Sequence, residues 1–392
     1  MQDPTPTKAD VPVSSVYDSF AEKQLLAALY SLICLMGVVG NSSVLLAVIL
    51  SRKPRTTTNV FVVNLAVADL LSCLNLPIMI LAVLSDSRED LLVSESLCAV
   101  EGFLLLVCVW TSLNNITIFA VYRAFITRRK NRSRLFNRRR LAALVVTTWL
   151  VPFAVGLVPT VMYGFSSYGY DDKLSTCTFS PASEGTGAFS RITTALFYPV
   201  QLTVTFASYA VILYTVRQHV GRVDAIPKQP LAVVSGVMSL TSQSRGPQQL
   251  VHEEVPGHSQ QLRAPTSNLL WSGTHRSLHA HPLPTRSSTD RRQARRQSRR
   301  NIDINLSLFL VVFFFVICCG PYPVLLILLG DKSNKVVPFF AAILVSNSCI
   351  NPVIYTARHP DFKTVIRCIL LCRLSKIPMK SAFLRRILSR LG

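Results

Sequence analysis

Apolar residues along this chain gather in long blocks rather than in stripes that repeat every three or four positions. Seven blocks, at 26–50, 58–84, 97–126, 140–163, 189–216, 304–329 and 335–357, are built mostly of Leu, Val, Ile, Phe and Ala. Each is long enough to cross a bilayer as a helix, which takes about 17–25 apolar residues. A soluble helical protein would need a polar face on most of these helices, and they have none. The pattern predicts an all-α membrane protein, a seven-transmembrane helix bundle. The third block has the least definite ends, because polar residues interrupt it.

The blocks divide the chain. Residues 1–25 form an N-terminal segment, 26–217 carry the first five spans, 218–302 a long loop, 303–357 the last two spans, and 358–392 a surface helix and basic tail. Residues 218–302 are rich in Pro, Ser, Gln, His and Arg without apolar periodicity, so they are expected to be disordered. Within them, "RRQS" at Arg295–Ser298 resembles a site for basophilic kinases. Phosphate there would place about two negative charges among arginines. The first 23 residues lack the basic start and apolar core of a cleavable signal, so the first span is expected to direct its own insertion.

Half of the 392 residues are hydrophobic and only 16% are charged, against about 25% in a soluble domain. The net charge of +21 would suit nucleic acid, but its distribution points elsewhere. Basic residues fill alternate connections: Arg52, Lys53 and Arg55 after span one, "TRRKNRSRLFNRRR" after span three, "DRRQARRQSRR" before span six, and the tail. Asp86, Glu89, Asp90, Glu95, Asp171, Asp172 and Glu184 lie in the others. The positive-inside rule then puts the N-terminus outside and the C-terminus in the cytoplasm, with the basic runs facing anionic lipid. Asn-x-Ser/Thr matches at Asn41, Asn115, Asn131 and Asn305 fall within spans, at their edges or in a basic loop, where this topology excludes glycosylation.

Of ten cysteines, only Cys98 and Cys177 fall on the outer side, where an oxidising compartment permits a disulfide from the top of span three to the second outer loop. Cys34, Cys73, Cys108, Cys318, Cys319 and Cys349 are expected as packing residues. Cys368 and Cys372, just inside the membrane, are candidates for palmitoylation.

Polar residues within the spans are few: Asn41, Asn64, Asp69, Ser112, Asn114, Asn115, Asn347, Ser348 and Asn351. A carboxylate such as Asp69 needs a cation, hydrogen-bond donors or a proton in hydrocarbon, and the Ser and Asn residues offer partners. Pro352 removes a helix hydrogen bond at about 3 kcal/mol. The groups it frees can join a hydrated network centred on Asp69.

On these residues the chain resembles the rhodopsin-like (class A) G-protein-coupled receptors from about 26 to 372, apart from the long loop. "GN" at Gly40-Asn41, "NLAVADL" at Asn64–Leu70, Trp149 with Pro152, "FVICCGP" at Phe315–Pro321 and "NPVIY" at Asn351–Tyr355 match the family in order. Cys98 lies 25 residues before Arg123, as the family's bridging cysteine lies before its arginine, and Phe362 opens a short amphipathic eighth helix. The resemblance implies that Asp69, Ser112, Asn347, Ser348 and Asn351 form a site for an allosteric sodium ion; a water network without sodium is the alternative. It also implies that Tyr122, Arg123, Tyr209, Phe315, Cys319, Pro321, Asn351, Pro352 and Tyr355 take part in the switch toward the G protein.

The chain departs from the family in places. Tyr122-Arg123-Ala124 keeps the arginine but loses the carboxylate before it, which implies a weaker resting lock and raised basal signalling unless other contacts compensate. Cys319 stands where the family has Trp, so the trigger must differ or Phe315 must carry it. Pro199 stands two residues early relative to Tyr209, leaving the pocket face of span five open.

Leu105 occupies the position of the aminergic aspartate, so a cationic amine would lose its counter-ion there, and Val345 occupies that of the opsin lysine, so no Schiff base forms. Leu105, Leu106, Val109, Trp110 and Tyr322 imply a pocket for an apolar or amphiphilic small ligand, a lipid or an indole-like molecule. Motif detail resembles receptors for melatonin and for medium-chain fatty acids. Glu101 and Arg191, near the mouth, read either as ligand-charge contacts or as solvated rim groups. In the tail, Phe383, Leu384, Ile387, Leu388 and Leu391 share one helical face, with Arg385, Arg386 and Arg390 pointing away. That suits an anionic membrane surface or a calmodulin-like groove.

The function expected is that of a plasma-membrane receptor, not an enzyme, coupling an extracellular ligand to a heterotrimeric G protein. The rival is a non-signalling seven-helix protein, a scavenger or heteromer partner. A transporter fits less well, since no internal repeat is present.

Overall fold

In lipid every backbone N–H and C=O needs a partner within the protein, so an apolar block crosses as a helix or in a closed barrel. The computed structural model describes Tyr17 and residues 19–56, 59–128, 137–164, 167–172, 174–179, 184–224, 288–329 and 335–391. Its elements are α1 (Phe20–Leu50), α2 (Val60–Leu84), α3 (Glu95–Arg128), α4 (Arg138–Tyr163), β1 (Tyr168–Asp171), β2 (Thr176–Phe179), α5 (Glu184–Asp224), α6 (Ser288–Cys319), α7 (Pro321–Leu329), α8 (Val336–Arg358), α9 (Lys363–Leu370) and α10 (Ala382–Leu391). Among the described residues seven helical stretches are long and apolar enough to cross a membrane: α1 to α4, Gly187–Gln218 of α5, Ile302–Leu325 across α6 and α7, and α8. Leu74, Val161, Phe206, Phe313 and Val353 point outward and are exposed, as lipid-facing side chains would be.

Chain contacts divide the molecule into one unit of residues 1–217 and 295–392 and a second of Gln218–Ala294. The second is described only at its ends, as the last residues of α5 and the first of α6. Both ends were expected to be disordered, yet they are helical. Arg and Gln are good helix formers, and extending an existing helix costs far less than nucleating one. Arg295–Ser298 therefore lie within α6. The rest of that loop lies outside the described residues.

In the first unit α1 packs on α2 and α8, α2 on α3, and α3 on α4. Small residues set two of these distances. A Cβ on Gly37 would lie 2.2 Å from the Cys73 sulfur, and one on Gly40 2.8 Å from the Pro352 ring. Span six is broken at Gly320 between α6 and α7. Its N–H still bonds the Val316 carbonyl at 2.9 Å, and a Cβ there would sit 2.6 Å from that oxygen. Pro321 then starts α7 where a missing N–H costs nothing.

The short strands are an addition to the expected all-helical architecture. β1 and β2 pair antiparallel, Tyr168 opposite Phe179 and Asp171 opposite Thr176. Tyr, Thr and Phe on either side of the turn residue Asp172 carried that signal. The Cys98–Cys177 disulfide fixes β2 to α3. Gly102 lets it close in, since a Cβ there would be 3.1 Å from the Thr178 backbone.

At the opposite end α9 buries Val365 and Ile366, which makes it the expected amphipathic eighth helix. Beyond it the chain turns back to α1: the Arg52 N–H donates to the Met379 carbonyl (2.8 Å) and the Ser381 N–H to the Leu50 carbonyl (2.9 Å). Ser51 Oγ donates to the Pro378 carbonyl (2.7 Å). The end of α1 thereby gains partners for groups a helix terminus leaves open. Leu384 of α10 is fully buried and Leu388 packs on the core, while Phe383 is exposed.

Gly37→Ala is expected to lower the thermal unfolding midpoint in lipid nanodiscs through overpacking worth about 1–3 kcal/mol. Adding Cys73→Ala, which removes the overlapping sulfur, should restore most of the loss. Equal midpoints for Gly37→Ala and wild type would show that the helices are not in this contact.

Candidate functional site

Near the middle of the bundle Asp69 of α2 is fully buried. Ser112 Oγ of α3 (3.0 Å) and Ser348 Oγ of α8 (3.1 Å) donate to Oδ1, and Asn351 Nδ2 (2.8 Å) donates to Oδ2. Pro352 lacks the N–H that would bond the carbonyl four residues earlier, that of Ser348. Asn41 Nδ2 of α1 donates to that carbonyl at 2.9 Å, and to the Gly37 carbonyl at 3.0 Å. One proline thus joins α1, α2, α3 and α8 through a single buried set. The Oδ1 atoms of Asn347 and Asn351 are buried without a hydrogen-bond partner among the described residues. Orphaned oxygens on the two turns that meet a carboxylate suit a hard cation or water.

The other span asparagines are spent elsewhere. Asn64 Nδ2 donates to Asn115 Oδ1 (2.8 Å) and Thr148 Oγ1 (3.0 Å), and its Oδ1 accepts from Trp149 Nε1 (2.9 Å). Asn115 Nδ2 donates to the Phe61 carbonyl (2.9 Å) and Asn114 Oδ1 accepts from Gln201 Nε2 (2.6 Å). These pairs fasten α2, α3, α4 and α5 and do not reach Asp69.

At the far end of α3, Arg123 is buried and donates to Asn305 Oδ1 of α6. Tyr122, where the family has its carboxylate, lies buried against the rings of Phe61 (5.2 Å) and Phe119 (6.5 Å). A neutral amide therefore holds the arginine across α3 and α6. Sequence reasoning missed this because Asn305 was noticed only as an acceptor-site match. Tyr209 of α5 is buried with its ring edge-on to Phe309 (6.3 Å). Phe315 and Cys319 are buried in the main core, Cys319 Sγ lying 3.9 Å from the Leu344 carbonyl. Tyr355 is buried and its ring packs near His359 (6.0 Å) and Phe362 (6.1 Å).

The junction of α8 and α9 holds a second buried polar group. Asp361 accepts from Asn59 Nδ2 (2.9 Å) and from Arg300 (2.6 Å), joining α2, α6 and the junction. His359 is fully buried, and its Nδ1 accepts the Asp361 N–H at 3.3 Å. Burial pushes the His359 pKa down to about 4; Asp361 opposes this, and Arg123, Arg300 and Lys53 reinforce it.

At the hairpin end Leu105, Val109, Trp110 and Tyr322 are half-buried, and Trp110 packs on Phe197 of α5 at 5.5 Å. Leu105 packs on a cluster that includes Tyr30, Leu76, Met79 and Val345. Leu106 instead turns toward α4, where a Cβ on Gly156 would be 3.4 Å from its methyl. Arg191 is half-buried on α5. Glu101 is no rim group: it is fully buried on α3. Of the lipidation candidates, Cys368 is half-buried on α9 and Cys372, just after it, is exposed.

The depressed His359 pKa fixes the sign of a pH dependence. The unfolded imidazole binds a proton below about 6.5 and the folded one only below about 4. Its contribution is present above 6.5 and is lost as pH falls through that window. His359→Phe should flatten the fall of thermal stability between pH 6.5 and 4. Parallel curves for variant and wild type would contradict the buried, neutral imidazole.

Residues 40–355 match the family model described as 7 transmembrane receptor (rhodopsin family). The chain is 25% identical to the G-protein coupled receptor moody of Drosophila pseudoobscura pseudoobscura, over 95% of this chain and 56% of that protein. The moody receptor of Drosophila melanogaster is 23% identical over 90% of this chain and 52% of its own length, so the chain spans about half the length of these relatives. The Melatonin receptor type 1B-A of Danio rerio is 30% identical over 50% of this chain and 67% of its own. The fold is similar to that of squid rhodopsin, with a TM-score of 0.66 at 16% identity, covering 95% of this chain and 92% of that one. The family match covers well over half of the chain, and the bundle built around Asp69, Arg123 and Asn351 has the corresponding fold: the chain belongs to the rhodopsin family of seven-transmembrane receptors.

Proposed function

We propose that this chain is a plasma-membrane receptor, N-terminus outside and C-terminus in the cytoplasm, that passes the binding of an extracellular apolar or amphiphilic small ligand to a heterotrimeric G protein. The observation that carries this reading is the contact between Arg123 and Asn305, the point at which α3 holds α6. A two-state bundle needs a contact made in one arrangement and lost in the other. A neutral amide holding a guanidinium is weaker than a carboxylate would be, which supports raised basal activity. The Gly320–Pro321 break lets α7 and α6 move as separate pieces, as Pro and Gly hinges do. A ligand lodged against Leu105, Val109, Trp110 and Tyr322 would press on α7, and α6 would swing from Arg123 to open the G-protein site.

Asp69, Ser112, Ser348 and Asn351, with the free Asn347 oxygen, would hold sodium and favour the resting arrangement, in which α2, α3 and α8 meet. The ion supplies the positive charge that buried Asp69 lacks. Cys372, exposed beside α9, and Cys368 are placed to carry an acyl chain that would hold α9 on the membrane.

Ligand-free G-protein activation, at matched surface expression, tests the receptor reading. Asn305→Ala should raise basal activity several-fold, Asn305→Asp should lower it, and Arg123→Ala should abolish it. No activity above mock cells in wild type and all variants would favour the non-signalling rival. For the ion, replacing potassium by sodium chloride should raise the wild-type unfolding midpoint by about 3 °C, the effect of roughly tenfold saturation. The shift should vanish in Asp69→Asn; an unchanged shift there would place the ion elsewhere.

A further inference from the structure

After Asp361 every charged residue of the chain is Lys or Arg, and this basic tail folds back onto the bundle. The chain bends after α9 at Cys372 and again at Met379, both non-glycine residues in the left-handed conformation (φ 53° and 50°). Such backbone persists only where surrounding contacts fix it. Ile377 and Leu384 supply them, buried in the cluster that holds Leu50 of α1, as does the paired backbone of Ser51 and Lys380. Ser381 caps α10, its Oγ accepting the Leu384 N–H at 3.1 Å. Leu50 is the last residue of α1, so α10 is fixed at the level where a membrane span ends.

That docking uses only part of the helix. Leu384 and Leu388, one turn apart, pack on the core. Phe383 is exposed, and the exposed Arg386 and Arg390 follow it on the same side of the helix. Neither arginine has an ion-pair partner among the described residues. Arg385 is exposed on the opposite side. Leu371 and Met379 are exposed nearby, and the Arg52 N–H bond to the Met379 carbonyl brings the basic α1–α2 connection alongside. Apolar side chains set among unpaired arginines, at the headgroup level and without acidic residues, match an anionic membrane surface in both character and charge. An acidic groove on a partner protein fits less well. It would take the whole apolar face of α10, and Leu384 is already committed to the core.

We infer that the side of α10 formed by Phe383, Arg386 and Arg390 is a docking surface for anionic phospholipid of the cytoplasmic leaflet. Phe383 enters the headgroup boundary and the two guanidinium groups bind lipid phosphate. The bundle then rests on two surface helices, α9 and α10, of which α10 is tied through backbone hydrogen bonds to the end of α1. The inference rests on the cytoplasmic placement of the tail in the receptor reading, since that leaflet carries the anionic lipid.

The test follows a nitroxide, itself an apolar side chain, at Phe383→Cys in the full chain carrying Cys368→Ser and Cys372→Ser. The parent chain without Phe383→Cys supplies the background. The probes are lipid nanodiscs of phosphatidylcholine alone and of phosphatidylcholine mixed with phosphatidylserine. The ratio of oxygen to nickel-reagent accessibility should rise several-fold in the mixed lipid, as the nitroxide sinks below the phosphates. Arg386→Gln with Arg390→Gln should abolish the rise, and Arg385→Gln, on the far side, should leave it in place. An equal ratio in the two lipids would overturn the inference, as would a rise that survives loss of Arg386 and Arg390. A rise lost just as fully in Arg385→Gln would show diffuse charge rather than an oriented surface, and would overturn it too. Calcium-loaded calmodulin drawing the nitroxide into water would assign α10 to a protein groove, with the same consequence. Nanodiscs carry the same lipid on both faces and the readout involves no G protein. Failure here therefore leaves the receptor reading standing, and a chain that docks α10 on phosphatidylserine yet activates nothing would sink that reading alone.

Discussion

Pro352 strips the Ser348 carbonyl of its helical donor in the middle of the bundle, and Asn41 reaches across from α1 to replace it. The rest of the arrangement depends on this constraint, that a backbone carbonyl freed inside the membrane must find its donor within the protein. The same turn of α8 presents Ser348 and Asn351 to Asp69, and Asp69 draws in Ser112 from α3. Four helices are fixed by one backbone defect and one carboxylate. Such a centre can be rearranged without being dismantled, because its donors are side chains rather than helix backbone.

Away from the centre, the two ends of the bundle are held differently. The hairpin end is tied covalently through Cys98–Cys177 and by ion pairs such as Lys23–Asp86. At the other end, α3 meets α6 through the neutral amide of Asn305, and α6 meets the α8–α9 junction through Arg300 and Asp361. The tail turns back and hydrogen-bonds the end of α1.

Much of this was legible in the sequence, because lipid leaves a spanning helix few alternatives. Block boundaries drawn at 58–84 and 335–357 fall within two residues of α2 and α8. The need of Asp69 for polar partners was legible too, while the choice of residues came from the family resemblance: Ser112, Ser348 and Asn351 bond to Asp69, and Asn347 does not. What sequence did not show depended on rotation and depth. Leu105 and Leu106 are neighbours yet face α2 and α4 respectively. Glu101 looked like a rim residue because its depth is set by the hairpin that folds over it. By residue type alone Asn64, Asn114 and Asn115 could equally have met Asp69; the family resemblance set them apart, and they bond to other partners. Helical extensions of α5 and α6 escaped notice because a helix leaving the membrane needs no apolar stripe to continue.

The central claim is that the Arg123–Asn305 contact holds α6 against α3 in the resting bundle. Spin labels at Arg128 and Arg299, both exposed at that end of the bundle, would report the separation of the two helices in lipid nanodiscs by pulsed dipolar spectroscopy. The account predicts one short distance for wild type and, for Asn305→Ala, a second population at longer distance. An unchanged distribution in Asn305→Ala would show that the amide does not hold the two helices together, and would contradict the account.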